Sequence, residues 1–293
     1  MLDVLVKGFK RRLARGALGL AFSAHFMRRR ALAVLNRHFS KGELVLRYRL
    51  PDHTLYLDPA DDVITARILL RGDWQRGDLE RVIAILATHV PASRGGLFID
   101  IGANIGSETV YAMLSGVFSQ AVAIEPEPHN FALLEENLAA NDLQSRVRAV
   151  NCAAGLREET RLLVRSAWNK GGHAIEGTEG GTEFRDAITV NVLPLPLILE
   201  RAGLGEKRVG LVWIDVNGSE AAVLRGMGDM LARHVPIVIE HLPSLVSADT
   251  ARDIHSLLLL HYKWFCRIDA AGGKPAPVSE MDPLRASGDF LFF

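Results

Sequence analysis

The chain has 293 residues, 48% of them apolar and 23% charged, and its 34 basic and 34 acidic side chains balance to a formal net charge of zero. That length and composition exclude a disordered or fibrous chain and allow one large core, alone or with an extension. The neutral total hides an asymmetry, because residues 1–41 hold ten Lys and Arg against a single acid, Asp3, so a basic head precedes an acidic body.

Residues 1–21 carry helical periodicity, with Leu2, Leu5, Phe9, Leu13 and Leu20 near one face and Lys7, Arg11 and Arg15 spaced four apart on another. A second basic helix, containing Arg28, Arg29 and Arg30, is expected to run to about His38. Residues 1–40 therefore read as a basic amphipathic helical extension. It has two uses, peripheral contact with an anionic membrane surface or packing on the acidic body, and both stay open. The run "GALGLAFSA" (Gly16–Ala24) after a basic stretch faintly mimics a signal peptide, but it is short, contains Gly twice and leads straight into "HFMRRR", so it is read as part of the extension.

Residues 41–95 read as a lead-in packed on the core. "ELVLRYRL" and "HTLYLDP" are strands separated by the Pro51-Asp52 turn, "DDVITARILLRG" is a helix stopped at Gly72, and "GDLERVIAILATHV" is an amphipathic helix stopped by Pro91. From Gly96 to residue 293, apolar strands alternate with helices: "LFIDIG", "AVAIEP", "VRAVNCA", "VGLVWIDV", "PIVIEHL", "FCRID" and "DFLFF". Continuous apolar strands with helices between them imply an α/β, Rossmann-like sheet, mostly parallel and buried on both faces. The last two strands, joined without a helix, are expected to pair antiparallel at the sheet's edge. A glycine-rich loop at about residues 167–186 interrupts the rhythm between "TRLLVRS" and "AITVNVLP". Cys152 and Cys266 lie in strand-like runs without CxxC or metal-ligand spacing, which argues for a reducing compartment and a cytoplasmic location. No His/Asp/Glu set has metal spacing, and no run reaches the roughly 20 residues that span a bilayer.

The stretch "FIDIGANIGSET" joins a strand to a helix through Asp100, Gly102, Asn104 and Gly106. Glycine-rich turns of this kind let backbone N–H groups approach a ligand. In a dinucleotide site the loop would receive a pyrophosphate, yet Asp100 stands where a phosphate is repelled and a cation attracted. Glu125, ending the next strand, sits where a carboxylate accepts both hydrogen bonds of a ribose diol. A ligand with a ribose, a positive end and no phosphate fits that set. S-adenosyl-L-methionine fits that description, and NAD, with its pyrophosphate, fits it poorly.

The blocks "FIDIGANIGSET", "AVAIEPEPHNFALLEENLAAND", "VNCAAG", "WIDVNGSEAAVLRGM" and "PIVIEHL" resemble those of the FkbM-type methyltransferases, from about Asp61 to the C-terminus. The resemblance implies a seven-stranded sheet with an antiparallel last strand, S-adenosyl-L-methionine as cofactor, and O-methylation of a sugar, lipid-linked glycan or secondary metabolite. It places Asp100, Gly102, Asn104 and Gly106 around the methionine and ribose, and Glu125 on the ribose hydroxyls. Pro126 and Asn151 or Ala153 fall near the adenine, and Asp215 beside the reactive methyl. Two positions depart from the family: Asn217 stands where a Glu is usual in Asp-Val-Glu-Gly-x-Glu, and "LPLPLILE" lacks the usual Leu-Asp pair.

A general base for a hydroxyl acceptor is expected at the carboxyl ends of the fourth and fifth strands, from Asp215, Glu240 or His241. His241 reads equally as a loop histidine bonded to a backbone carbonyl, and Glu220 as a favourable charge at a helix start. Asn169, His173, Asn217 and Glu220 are the substrate-side candidates, the first two on a loop long enough to close as a lid. The absence of an Asn/Asp-Pro-Pro-Tyr motif and of an aromatic–basic platform argues against nucleic acid. A non-catalytic relative of the fold and a nicotinamide oxidoreductase are the competing readings.

Overall fold

The computed structural model describes residues 2–6, 44–166, 169–177, 184–244, 246–268 and 273–293. An eight-stranded sheet forms the centre. In chain order its strands are β4 (Leu97–Ile101), β5 (Gln120–Ile124), β6 (Val147–Val150), β11 (Val209–Ile214), β12 (Ile237–His241), β13 (Trp264–Arg267), β14 (Ala276–Pro277) and β15 (Gly288–Phe292). Their spatial order is β14-β13-β15-β12-β11-β4-β5-β6. The pairs from β12 to β6 are parallel, whereas β15 runs antiparallel to both β12 and β13. The expected seven strands and antiparallel last strand are present. β15 inserts between β12 and β13, and the two-residue β14 takes the edge.

Alternation along each strand sorts side chains to opposite faces. Ile99, Ile101, Val122, Val212, Ile214, Ile237 and Ile239 pack on the face covered by α5 (Leu195–Arg201), α6 (Glu220–Arg225) and α7 (Ala248–His261). Phe98, Ala121, Ala123, Trp213 and Val238 pack on the other, under α2 (Arg76–His89), α3 (Ser107–Leu114) and α4 (Pro128–Ala140). Burial on both faces is what makes these strands read as unbroken apolar runs.

The lead-in forms β2 (Leu44–Arg49) and β3 (Thr54–Leu57), followed by α1 (Ile64–Arg71), which stops at Gly72 in the left-handed conformation. Its apolar face joins Ile105 and Leu133 of the main domain in a third core cluster. Two asparagines one turn apart, Asn137 in α4 and Asn141 capping its end, fasten β3. Asn137 Oδ1 accepts the Tyr56 N–H at 2.5 Å, and Asn141 accepts from Thr54 N–H at 2.9 Å while donating to the Thr54 carbonyl at 2.8 Å. The amides occupy hydrogen-bonding positions that a further strand would fill.

Leu2–Val6 is a strand, β1, paired antiparallel with β2, and not the start of a helix. Leu2, Val4 and Val6 fit a period of two as well as the neighbouring residues fit 3.6, and the exposed edge of β2 decides between them. The remainder of the basic extension, with Arg28, Arg29 and Arg30, lies outside the described residues. Among the described residues no helix is long and apolar enough to cross a membrane.

The interrupting segment is more ordered than a loop. β8 (Glu159–Ser166) and β10 (Phe184–Leu193) pair antiparallel, β9 (Ala174–Ile175) adds to β8, and β7 (Ala153–Ala154) pairs parallel with β10. The loop expected at about 167–186 therefore contains β9 and overlaps the first residues of β10.

Where β4 and β11 part at their carboxyl ends, Gly102 (φ +87°) passes so close that a Cβ would lie 1.9 Å from the Asp215 carbonyl oxygen. Gly102→Ala therefore combines a forbidden contact with a left-handed backbone. It is expected to lower stability by ~3 kcal/mol or more, a fall in Tm on the order of 5–10 °C in a thermal melt.

Candidate functional site

The turn after β4 carries left-handed residues at every second position, Gly102 (φ +87°), Asn104 (φ +50°) and Gly106 (φ +81°). That alternation curls the backbone over the end of β5. Asn104 meets the left-handed requirement by accepting from the Ile105 N–H through Oδ1 at 2.8 Å. Beneath the turn, Glu125 accepts the Asn104 N–H at 2.9 Å and the Glu127 N–H at 2.8 Å, and burial pushes its carboxyl up to about 8. Gly106 packs against Leu134, within 2.4 Å of where a Cβ would stand, and shapes the turn from behind.

These residues border a cleft, open to solvent on one side, at the carboxyl ends of β4, β5 and β11. Gly102, Asn104, Glu125, Pro126, Ala153, His173, Asp215 and Asn217, all singled out from the sequence, line it together. Glu108, Asn130, Trp74 and Cys152 also line it and were missed. Glu108 carries an ordinary helix-start signal, and Asn130 reads as a plain helix residue. Trp74 belongs to the lead-in, which no motif tied to the site.

Asp100 is placed differently from the expectation. It lies on the Phe98 face of β4, is 1% exposed, and accepts the Thr109 hydroxyl at 2.5 Å under α3. The period of two that turns Ile101 to the cleft turns Asp100 away from it, so it acts on the cleft only through its field. Burial raises its carboxyl to about 7. Asp215, partly exposed at the cleft, is raised to about 6 by burial and by Asp100.

Glu240, His241 and Glu220 are not on this wall. They border a separate small cavity beyond Asn217 and Gly218. His241 Nε2 bonds the Pro283 carbonyl at 2.8 Å and burial lowers its pKa, the arrangement of a held loop histidine. Burial first, then Asp215 and Asp289, push Glu240 up to about 8. Glu220, raised to about 7 by burial, accepts the Gly218 N–H at 3.1 Å. Asn151 sits behind the wall, donating to the Glu125 and Pro126 carbonyls at 2.8 and 3.1 Å and so bracing the end of β5.

Residues 169–173 cross the cleft as a docked strap. The Lys170 carbonyl accepts from Asn104 Nδ2 and Asn130 Nδ2, each at 2.9 Å. Asn217 Nδ2 donates to the Gly171 carbonyl at 2.8 Å and the His173 carbonyl at 3.3 Å, and the Lys170 N–H reaches Asp61 at 3.3 Å. Asn169 lies within the strap, accepting the Gly171 N–H at 3.0 Å. A glutamate at position 217 has no N–H to donate, so the amide there explains the departure noted in the sequence. His173 Nδ1 accepts the Ser166 N–H at 3.0 Å, which leaves the proton on Nε2, and burial lowers its pKa to about 4. It is a neutral donor and not a base. Among the described residues no group of three His, Cys, Asp or Glu is placed to hold a metal ion.

Residues 100–262, more than half of the chain, match the family described as Methyltransferase FkbM domain. Methyltransferase 1 of Beauveria bassiana is 28% identical over 155 residues, 47% of this chain and 61% of that protein. The 31-O-demethyl-FK506 methyltransferase FkbM of Streptomyces tacrolimicus is 28% identical over 159 residues, 46% of this chain and 60% of that protein. The chain thus spans about three fifths of the length of these curated relatives. The crystal structure of a methyltransferase FkbM from Methylobacillus flagellatus KT aligns with 68% of this chain and 44% of its own, at 16% identity and a TM-score of 0.44.

Asn217→Asp keeps the shape of the side chain and removes both donors to the strap, a loss of ~1–3 kcal/mol at that contact. Faster deuterium exchange in residues 169–177 and a melting temperature lower by a few degrees are expected; equal exchange in both proteins would refute the strap's hold through Asn217. The raised carboxyls have a second consequence. Glu125, Asp100, Asp215, Glu220 and Glu240 hold protons in the fold that unfolding releases above about pH 4.5. Their contribution is fully present below that pH and is lost as pH rises through about 6 to 8. Tm of the ligand-free protein, read by calorimetry, should therefore fall between about pH 5.5 and 8.

Proposed function

We propose that this chain, which belongs to the FkbM methyltransferase family, binds S-adenosyl-L-methionine in the cleft and methylates a hydroxyl of a sugar, lipid-linked glycan or secondary metabolite. The observation that carries the reading is the unequal chemistry of the two ends of the cleft. At one end Glu125 is held by backbone N–H groups, ready to accept from a diol. At the other, burial raises the carboxyls of Glu108, Asp215 and Asp100; Asp100 adds to the rise of both Glu108 and Asp215, Asp215 adds to that of Glu108, and no cation among the described residues offsets them. A ligand with a ribose and a positive end satisfies both, whereas a pyrophosphate does not.

The wall also supports the fit through unfilled groups. Glu108 Oε1 and Asn130 Oδ1 are buried without a hydrogen-bond partner among the described residues, and both residues face the cleft. Glu125 would hold the ribose hydroxyls, Pro126, Cys152, Ala153 and Leu163 would border the adenine, and the Gly102–Asn104 backbone would pass beside the methionine. When bound, the cofactor supplies an electrophilic methyl group on a sulfonium.

Of the three bases read from the sequence, Asp215 is the one on the cleft. With a pKa near 6 it is ionised at neutral pH and can take the proton that the acceptor hydroxyl loses. The strap closes one side against water, and its His173 keeps a neutral N–H to donate. Trp74 and Ile64 give the acceptor side an apolar wall drawn from the lead-in. The competing reading of a non-catalytic module rests on Asn217 and on the missing Leu-Asp pair, and the strap gives the first of these a structural reason.

Calorimetric titration tests the reading. Micromolar S-adenosyl-L-methionine binding, no NAD binding, and at least a tenfold loss (~1.4 kcal/mol) in Glu125→Gln are expected. Preferential NAD binding, or full affinity in the variant, would sink it.

A further inference from the structure

Resting on the cofactor reading above, we propose that Glu108 receives the α-ammonium group at the methionine end of the cofactor. Glu108 is the second residue of α3 and is only 6% exposed, yet it stands on the cleft wall with Gly102 and Trp74. One carboxyl oxygen, Oε2, accepts the Ser107 hydroxyl at 2.7 Å. The other, Oε1, is buried and has no partner among the described residues. A buried oxygen in that state is rare in a native fold and marks a place where a donor arrives from outside the chain.

The electrostatics select the charge of that donor. Burial, then Asp100, then Asp215 hold the Glu108 carboxyl well above its ordinary range. The basic residue on the same wall, Lys170, acts on Asp58 and His173 and does not figure among the influences on Glu108. Three acids that no cation opposes among the described residues form a seat for a positive group, at the end of the cleft away from Glu125. The donor count then selects between the two positive groups of the cofactor. An ammonium offers three N–H bonds from one compact atom, whereas a sulfonium has none and cannot fill an orphaned acceptor. The start of α3, where the helix dipole favours negative charge, supports the ionised form once the cation is in place.

The test compares three probes by calorimetry on the full chain: S-adenosylmethionine, S-adenosylhomocysteine, and 5′-methylthioadenosine, which keeps the nucleoside and lacks the amino-acid end. Glu108→Gln retains an oxygen for the Ser107 hydroxyl and removes the charge. It should weaken the first two probes about tenfold, by the same factor, and leave the third unchanged. A parallel loss for methylthioadenosine would make Glu108 a structural residue and overturn the assignment. So would a loss confined to S-adenosylmethionine, which would point to the sulfonium, or no loss at all. If Glu108→Gln fails to fold in a melting control, Glu108→Asp carries the comparison, with a smaller loss expected for the same two probes. Wild-type protein that binds none of the three would overturn the cofactor reading itself, and the Glu108 assignment with it.

Discussion

A carboxyl group taken out of water must be protonated, hydrogen-bonded or faced by a cation, and the carboxyl edge of this sheet gathers several of them. Each is met in a different way. Glu125 takes two backbone N–H groups, Glu220 takes the Gly218 N–H, and Asp100 takes the Thr109 hydroxyl. Glu127, two residues after Glu125, caps α4 and pairs with Arg165 at 3.1 Å. The turn, the helix starts and the strand ends around the cleft are arranged as partners for these acids. Where partners run out, at Glu108, the cleft begins.

Close backbone approach is the second requirement. β4 and β11 diverge around Gly102, whose missing side chain lets the Asp215 carbonyl pass. The lead-in then closes the open side, held to α4 by Asn137 and Asn141 and to the strap by Asp61. Segments far apart in sequence thus meet around one small volume, which is why the lead-in contributes Ile64 and Trp74 to a site whose motifs all lie after Leu97.

What could be read from the sequence follows from how directly each feature is encoded. The central strands announce themselves because burial on both faces leaves no polar positions, and helices α1 and α2 end where Gly72 and Pro91 stop them. The turn and Glu125 are recognisable because left-handed backbone and strand-end acids restrict residue type. Side-chain direction was the harder quantity. Asp100 was expected in the cleft from its place in a motif, and strand alternation turns it under α3. His241 bonds a carbonyl 42 residues away, which no local pattern records. Leu2–Val6 suits two periodicities, and only its pairing with β2 separates them. Glu108 looks like a common helix-start acid, so its orphaned oxygen becomes visible only when its surroundings are known.

The strap is gripped by its carbonyls. Asn104, Asn130 and Asn217 all donate to main-chain oxygens of Lys170, Gly171 and His173. Every amino acid supplies that same oxygen, so this part of the grip does not depend on the side chain at position 170. Lys170 can therefore diverge toward a new acceptor while closure is retained, whereas Asn169 and His173 also hold main-chain N–H groups at 3.0 Å. The constraint falls on the three asparagines of the domain, leaving Lys170 as the part of the strap most open to change.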